Sequence, residues 1–97
     1  MKRKHGAGQA AQRKPSMFVL GVVRCVALRR GRTLDEILDD DRRREVVLVR
    51  WEAMATAKRA TGASLPVIGA TMLRDHTTVL HGIRKHHERM ARANGAT

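Results

Sequence analysis

Apolar residues recur every three or four positions over most of the chain, and no segment alternates apolar and polar residues in the manner of a strand. The pattern therefore predicts an all-α fold with five helices, which cover about residues 17–28, 34–38, 43–61, 65–72 and 76–93. The apolar stripe of the first helix consists of Phe18, Val22 and Val26, with Val19 and Val23 beside it. The inner side of the fifth helix is expected to carry Val79, Leu80, Ile83 and Met90. We expect these stripes to meet in a small helical bundle.

Capping residues mark where several of these helices begin. Thr33 stands three residues before Glu36, which is the spacing of a capping box at the start of the second helix. Ser64 caps the fourth helix, with Pro66 in its first turn, and Asp75 caps the fifth after a break of about three residues. A short helix, a tight turn and a longer helix are the organisation of a helix-turn-helix, whose longer helix enters the major groove of DNA.

The composition limits what such a bundle can do. With 97 residues the chain holds one domain, which is too small for a two-domain enzyme, and no apolar stretch is long enough to cross a membrane. The chain has 20 Lys and Arg residues against 9 Asp and Glu residues, a net charge of +11. This surplus favours a polyanionic partner, with nucleic acid first, an anionic membrane surface second and an acidic protein third.

The first 16 residues are predicted to form a flexible basic tail ahead of a domain at 17–97. They contain several Lys and Arg residues, no acidic residue and almost nothing apolar. Two roles stay open for this tail: a solubilising terminus, or an arm that adds phosphate contacts. The basic start leads into polar residues instead of the apolar core of a secretion signal, so we expect a cytoplasmic protein. The single cysteine, Cys25, has apolar neighbours and is expected to be a buried thiol.

The start of the fifth helix carries side chains suited to DNA contact. With Asp75 as N-cap, His76, Thr77 and Thr78 lie in the exposed first turn, the part of a recognition helix that meets base edges. A threonine methyl can contact a thymine methyl, a histidine can bond to a purine edge, and a carboxylate can accept from a cytosine amine. Arg74 can hold a phosphate. A purely structural interpretation, in which Asp75 and Thr78 only cap the helix, stays equally open.

Two neighbouring motifs carry a resemblance to a known family. Residues 64–69 are Ser-Leu-Pro-Val-Ile-Gly, and residues 74–81 are Arg-Asp-His-Thr-Thr-Val-Leu-His, with Arg-Lys at 84–85. Together these motifs resemble the signature of the C-terminal DNA-binding domain, domain IV, of the bacterial replication initiator DnaA. The likeness covers roughly residues 17–92. It implies a Trp-repressor-like helix-turn-helix that binds double-stranded DNA at the DnaA box, an asymmetric site of consensus TTATNCACA.

The resemblance also implies a role for each matching residue. Base-reading roles fall to Asp75, His76 and Thr77, and Arg42 takes the place of an arginine that lies in the minor groove. A narrow AT-rich minor groove attracts an arginine through its enhanced negative potential. The residues implied as contacts to the DNA backbone are Arg50, Lys58, Leu65, Pro66, Arg74, Thr78 and His81.

The sequence departs from the family pattern at three places. The link at Thr71–Leu73 is one residue shorter than the usual turn, which would change the docking angle of the recognition helix. Asp39–Asp41 stand where the family is usually basic, and carboxylates beside phosphates weaken binding. Trp51 occupies a position that is usually polar and near DNA. We interpret Trp51 as a core or interface anchor in preference to a base-stacking residue.

The 97 residues contain no glycine-rich phosphate loop with a Lys-Ser or Lys-Thr end, so no ATPase activity, catalytic residue or cofactor is expected. The histidines of the fifth helix lack the spacing of metal ligands. We therefore expect a monomeric DNA-binding regulator of replication initiation or transcription that occupies, or competes for, initiator sites. Two alternatives stay open: an interaction protein that binds the initiator with little specific DNA binding, and a non-specific nucleoid-type DNA binder.

Overall fold

The structure, a computed structural model, describes residues 14–95. These residues form helices joined by short turns, with no strand among them, which confirms the predicted all-α fold. The helices are α1, Met17–Arg29; α2, Leu34–Leu38; α3, Arg44–Thr61; α4, Leu65–Met72; and α5, His76–Ala93. Every helix end lies within one residue of its predicted place. All but the last three residues of the predicted basic tail lie outside the described residues.

Local hydrogen bonds fix where the helices begin and end. Ser16 and Ser64 each accept, through the side-chain hydroxyl, from the backbone N–H three residues later. Thr33 and Glu36 form the predicted capping box, in which the Glu36 carboxylate accepts from the backbone N–H of Thr33 at 2.8 Å. Gly62 ends α3 in the left-handed conformation that glycine adopts without strain.

Helix α3 lies between α1 and α5 and packs against both, while α4 packs mainly on α5 and the short α2 bridges α1 and α3. Their apolar faces meet in one core. The buried members of this core are Val19, Val23, Val26, Ala27, Ile37, Val46, Ala53, Met54, Ala57, Ile68, Met72 and Val79. None of the helices within residues 14–95 is long and apolar enough to cross a membrane.

The buried face of α1 differs from the predicted one. Val19 and Val23 are fully buried, whereas Phe18 is 82% exposed and Val22 is half-buried. Each residue turns the helix by about 100°, so a face centred on Val19 and Val23 carries Phe18 into solvent. The prediction of a buried thiol at Cys25 is also wrong. Cys25 follows Val23 by two residues, about 200° around the helix, and therefore lies on the outer side.

Gly82 lets α5 approach α3 closely. It is buried, and a Cβ at this position would collide with the sulfur of Met54 and lie 2.8 Å from Cδ1 of Trp51. Val79 is buried one turn earlier, as predicted. Leu80 and Ile83, which were also expected on the inner side of α5, are half-buried. Met90, in contrast, is 39% exposed, because it lines an open cleft between α3 and the end of α5.

The turn between α4 and α5 depends on two residues with special backbone demands. Leu73 ends α4 in the left-handed region with φ of 61°, the one non-glycine residue with positive φ in the described part of the chain. The backbone N–H of Arg74 then donates to the carbonyl oxygen of Gly69 at 2.8 Å. A Cβ on Gly69 would collide with the carbonyl oxygen of Arg74. The glycine therefore makes room for the chain to return tightly into α5.

Candidate nucleic-acid interface

The first turn of α5 presents three exposed side chains, His76, Thr77 and Thr78. Asp75 is its N-cap, as predicted: the carboxylate accepts from the Thr77 hydroxyl and, at 2.9 Å, from the Thr77 backbone N–H. These two hydrogen bonds lower the pKa of Asp75 below its ordinary value, and the bond from the hydroxyl has the larger effect. Nδ1 of His76 lies 3.9 Å from the same carboxylate. The hydrogen bond to Asp75 therefore orders the Thr77 side chain in the free protein.

The N-terminus of α4 offers further hydrogen-bond donors. Ser64 caps this helix, and Leu65 and Pro66 form its half-buried first turn. Backbone N–H groups at a helix N-terminus point along the axis and carry partial positive charge. Lys58, exposed near the end of α3, donates to the carbonyl oxygen of Ala63 at 2.8 Å, which holds its ammonium group at the link between α3 and α4. Phosphate is a ligand that this combination can bind.

His81 is exposed one turn after Thr78 on the same face of α5. Its imidazole meets the edge of Trp51, with the ring centroids 5.9 Å apart and the planes at 79°. Trp51 itself is half-buried and packs against the core. This position agrees with the interpretation of Trp51 as an anchor, and it leaves the outer side of the histidine ring facing solvent.

Arg50 lies inside the protein, although the resemblance implied a contact with the DNA backbone. It is 6% exposed, and its Nε donates to the carbonyl oxygen of Ile37 at 2.8 Å. Its two Nη atoms donate at 3.0 to 3.1 Å to the carbonyl oxygens of Glu36, Asp39 and Asp41. The last carbonyl groups of a helix have no partner within it, and the five N–H groups of an arginine can serve several of them at once. In this structure Arg50 is an internal anchor of the loop after α2.

Arg74 shares this task and lies nearer the surface. Its guanidinium donates to the carbonyl oxygens of Leu38 at 3.1 Å, Met72 at 2.9 Å and Asp39 at 2.6 Å. Burial lowers the pKa of both guanidinium groups, and the proximity of Arg74 adds to the effect at Arg50. Because Arg74 is only half-buried, one side of its guanidinium still faces solvent.

The loop between α2 and α3 leaves Arg42 extended into solvent. Its Nε lies 3.8 Å from a carboxylate oxygen of Asp40, and both side chains are highly exposed. Arg43, by contrast, bonds to Asp41 at 2.7 Å and to Glu36 at 3.1 Å. The hydrogen bonds that Arg43 donates to Asp41, from its guanidinium and then from its backbone N–H, lower the pKa of Asp41 to about 2. The charge of Asp41 is thus neutralised within the loop, and Arg42 keeps the exposure that insertion into a groove requires.

Sequence reasoning missed the two glycines that allow close approach, Gly69 and Gly82, and the internal role of Arg50. One signal for Arg50 was available, because a five-residue helix followed by a loop leaves several carbonyl groups in need of donors. Nothing in the pattern showed which arginine supplies them. Within residues 14–95 no group of three or more His, Cys, Asp or Glu side chains could hold a metal ion.

The chain is similar to known proteins over most of its length. Residues 21–85 match the family described as bacterial dnaA protein helix-turn-helix. The chain is 45% identical over 67 residues to the chromosomal replication initiator protein DnaA of Thermus thermophilus, which covers 68% of this chain and 15% of that protein. It is 35% identical over 82 residues to DnaA of Deinococcus radiodurans, which covers 84% of this chain and 18% of that protein.

A third relative is DnaA of Thermomicrobium roseum, at 46% identity over 59 residues, or 60% of this chain and 13% of that protein. The chain thus spans 13–18% of the length of these relatives. No solved structure gives a significant match.

Proposed function

Because the chain belongs to the bacterial DnaA helix-turn-helix family, in which this domain binds DNA in connection with replication initiation, we propose that it binds double-stranded DNA at DnaA-box-type sites. A protein that occupies such sites modulates initiation, or transcription nearby, by competing with the initiator for them. This role places it on the nucleoid. It requires no catalytic residue and no cofactor, and one copy of the domain is sufficient for one asymmetric site.

The observation that carries this proposal is the exposed and internally ordered first turn of α5. His76 and Thr77 stand at the end of the helix that enters the major groove. The Asp75 carboxylate holds Thr77 by two hydrogen bonds and lies 3.9 Å from Nδ1 of His76. His76 bonds to a purine edge, the Thr77 methyl contacts a thymine methyl, and an oxygen of Asp75 accepts from a cytosine amine. The energy of these contacts differs between base pairs, so this turn supplies sequence preference.

Contacts to the phosphate backbone fix the helix in the groove. We assign them to residues around the first turn of α5, at the start of α4 and near the end of α3. These contacts are Lys58, Leu65, Pro66, Arg74, Thr78 and His81. Arg42 reaches into the adjacent minor groove, where the negative potential of AT-rich DNA favours it. Arg50 is left out of this set because its guanidinium is occupied by four backbone carbonyl groups.

A second candidate function is protein interaction, with the initiator as the partner. Three large apolar side chains of α1 face solvent in the structure, and contact with another protein would bury them: Met17, Phe18 and Leu28. The third candidate, non-specific binding to the nucleoid, rests on the net charge of +11 and on the basic composition of residues 1–16.

The three candidates predict different results in a DNA-binding measurement, with a recovery experiment from cell extract beside it. Fluorescence anisotropy measures binding to a DnaA-box duplex and to a scrambled duplex of equal composition, each at low and at near-physiological salt. The proposal predicts a preference for the box that survives the higher salt, since base contacts do not depend on counterion release. Equal binding that collapses with salt indicates the non-specific binder. Absence of binding to either duplex, with recovery of the initiator from nuclease-treated extract, indicates the interaction protein.

A further inference from the structure

Arg50 and Arg74 together hold the segment that leads to Arg42. Arg50 donates four hydrogen bonds to backbone carbonyl oxygens, and Arg74 donates three. Six of these bonds end on one short stretch of chain, and the seventh ends on the last residue of α4. The acceptor residues are Glu36, Ile37, Leu38, Asp39, Asp41 and Met72.

This stretch needs external support because its own structure is short. Helix α2 has five residues and is followed by Asp39 in an extended conformation, and residues 39–43 form neither helix nor strand. Helices of this length are not stable alone, and their last carbonyl groups lack partners. Arg50 reaches the stretch from the middle of α3, and Arg74 reaches it from the turn that precedes α5. The side-chain hydrogen bonds between this stretch and that turn, within residues 14–95, come from Arg74.

The acidic run at Asp39–Asp41 supports this arrangement electrostatically. Two guanidinium groups that bond to one carbonyl oxygen repel each other, and this repulsion contributes to the lowered pKa of Arg50. The three carboxylates of the run act in the opposite direction on the pKa of Arg50, and those of Asp39 and Asp40 do so on the pKa of Arg74. The acidic residues therefore compensate the positive charges of the buried Arg50 and the half-buried Arg74.

We propose that Arg50 and Arg74 are positioning residues that fix Arg42 at a set distance from the first turn of α5. The DNA-binding part of this inference rests on the proposed function, whereas the positioning is a property of the free protein. If Arg42 and the first turn of α5 stand at a fixed separation, the protein meets the minor groove and the major groove in one geometry. Less ordering is then needed on binding.

The positioning can be measured without DNA. Spin labels are attached at Arg42→Cys and Thr77→Cys in a Cys25→Ser background, and the distance distribution between them is recorded by pulsed electron resonance. We expect one narrow distance in this parent and a clearly broader distribution after Arg74→Lys, because lysine keeps the charge but lacks the planar fork of donors. Arg59→Lys, an exposed change near the end of α3, is the matched control and should leave the distribution unchanged. An unchanged distribution in Arg74→Lys would overturn the proposal.

The consequence for DNA is tested with Arg50→Lys in the unlabelled chain. The comparison duplex is a box in which the AT pairs at the Arg42 end are replaced. The preference for the intact box over this duplex should fall about tenfold, which corresponds to the loss of one good groove contact. In an Arg42→Ala background the same change should alter this preference by less than about twofold. Equal losses in both backgrounds would contradict a role through Arg42.

Two further outcomes separate this proposal from the proposed function. Where Arg50→Lys does not fold, as circular dichroism would show, the distance measurement on Arg74→Lys decides alone. A parent protein without box preference, but with the expected change of distance distribution, refutes the proposed function and supports the positioning.

Discussion

Arg50 and Arg74 donate to the same atom, the carbonyl oxygen of Asp39, at 3.0 and 2.6 Å. A carbonyl oxygen has two lone pairs, so both bonds form at once. Arg50 belongs to α3 and Arg74 to the turn before α5, and one backbone atom therefore connects the loop to both. The expected minor-groove arginine, Arg42, follows Asp39 by three residues along the same loop.

Base contacts and phosphate contacts should respond differently to mutation. His76→Ala is expected to reduce the preference for box over scrambled DNA by about 1 to 3 kcal/mol, because it removes a contact to a base edge. Lys58→Ala is expected to weaken binding to both duplexes alike and to reduce the salt dependence by about one phosphate contact. Anisotropy titrations at three or more salt concentrations measure both effects. A His76→Ala protein that discriminates as well as the wild type would exclude base reading by this residue.

The effect of a Gly→Ala substitution within a helix on the free energy of unfolding should depend on the space around the glycine. Gly21 has open space where a Cβ would stand, so Gly21→Ala should raise the free energy of unfolding by about 0.5 to 1 kcal/mol through helix propensity. Gly69→Ala has the same propensity gain but places a methyl group against the carbonyl oxygen of Arg74. Because a backbone atom must shift, we expect a net loss of about 1 to 3 kcal/mol and weaker box binding. Urea unfolding checks both changes, and a Gly69→Ala protein as stable as Gly21→Ala would contradict the close approach.

Leu73 is expected to limit stability through its backbone conformation. Its φ of 61° lies in the left-handed region, which is unfavourable for leucine. Because the side chain is 72% exposed, burial of apolar surface does little to offset this cost. Leu73→Asn should therefore stabilise the protein by about 0.5 to 1 kcal/mol, since asparagine tolerates this region better. Leu28→Asn, at an exposed site in the regular helix α1, is the control and should not stabilise. Thermal unfolding distinguishes the two, and equal melting temperatures for Leu73→Asn and the wild type would argue against strain at this turn.

Acid should remove the contribution of Asp41 to stability. Its pKa is lowered from 3.8 to about 2 by hydrogen bonds from Arg43. A carboxyl group whose pKa is lowered on folding stabilises the folded state fully above the unfolded pKa, and the effect disappears as the pH falls through the folded pKa. The melting temperatures of the wild type and Asp41→Asn should thus differ at pH 6 and converge as the pH falls from about 5 to about 2.

The control for this pH series is Asp35→Asn, at an exposed carboxylate of α2. This substitution also removes one negative charge but leaves the ion pair between Asp41 and Arg43 in place. A constant difference between the wild type and Asp41→Asn down to pH 2 would show that the ion pair with Arg43 does not contribute in solution.

Helix ends were predictable wherever a side chain marks them, because a cap is a local interaction. Ser64 and Asp75 are examples, and each lies where the sequence indicated. The inner face of α1 was harder to predict because Phe18 and Val19 are neighbouring apolar residues. Which of the two turns inward depends on where α3 and α4 stand, and the periodicity of α1 alone contains no information about that.

The candidate site divides in the same way. The exposed turn at His76–Thr78 follows from the cap and from helix geometry, so the sequence was sufficient to indicate its exposure. The position of Arg50 was not predictable, because an arginine can face either phosphates or internal carbonyl groups. The choice depends on acceptors that come from another helix and a loop, and these meet Arg50 only in the folded chain.

The edge-on contact between Trp51 and His81 makes the domain its own optical probe. The chain has one tryptophan and no tyrosine, so its ultraviolet emission originates at a single ring. That ring lies against a histidine on the face expected to meet DNA. A phosphate that binds beside this histidine changes the surroundings of the indole, and with them the intensity and wavelength of its fluorescence. Binding of DNA at α5 can therefore be followed by the tryptophan fluorescence of the unlabelled wild-type protein.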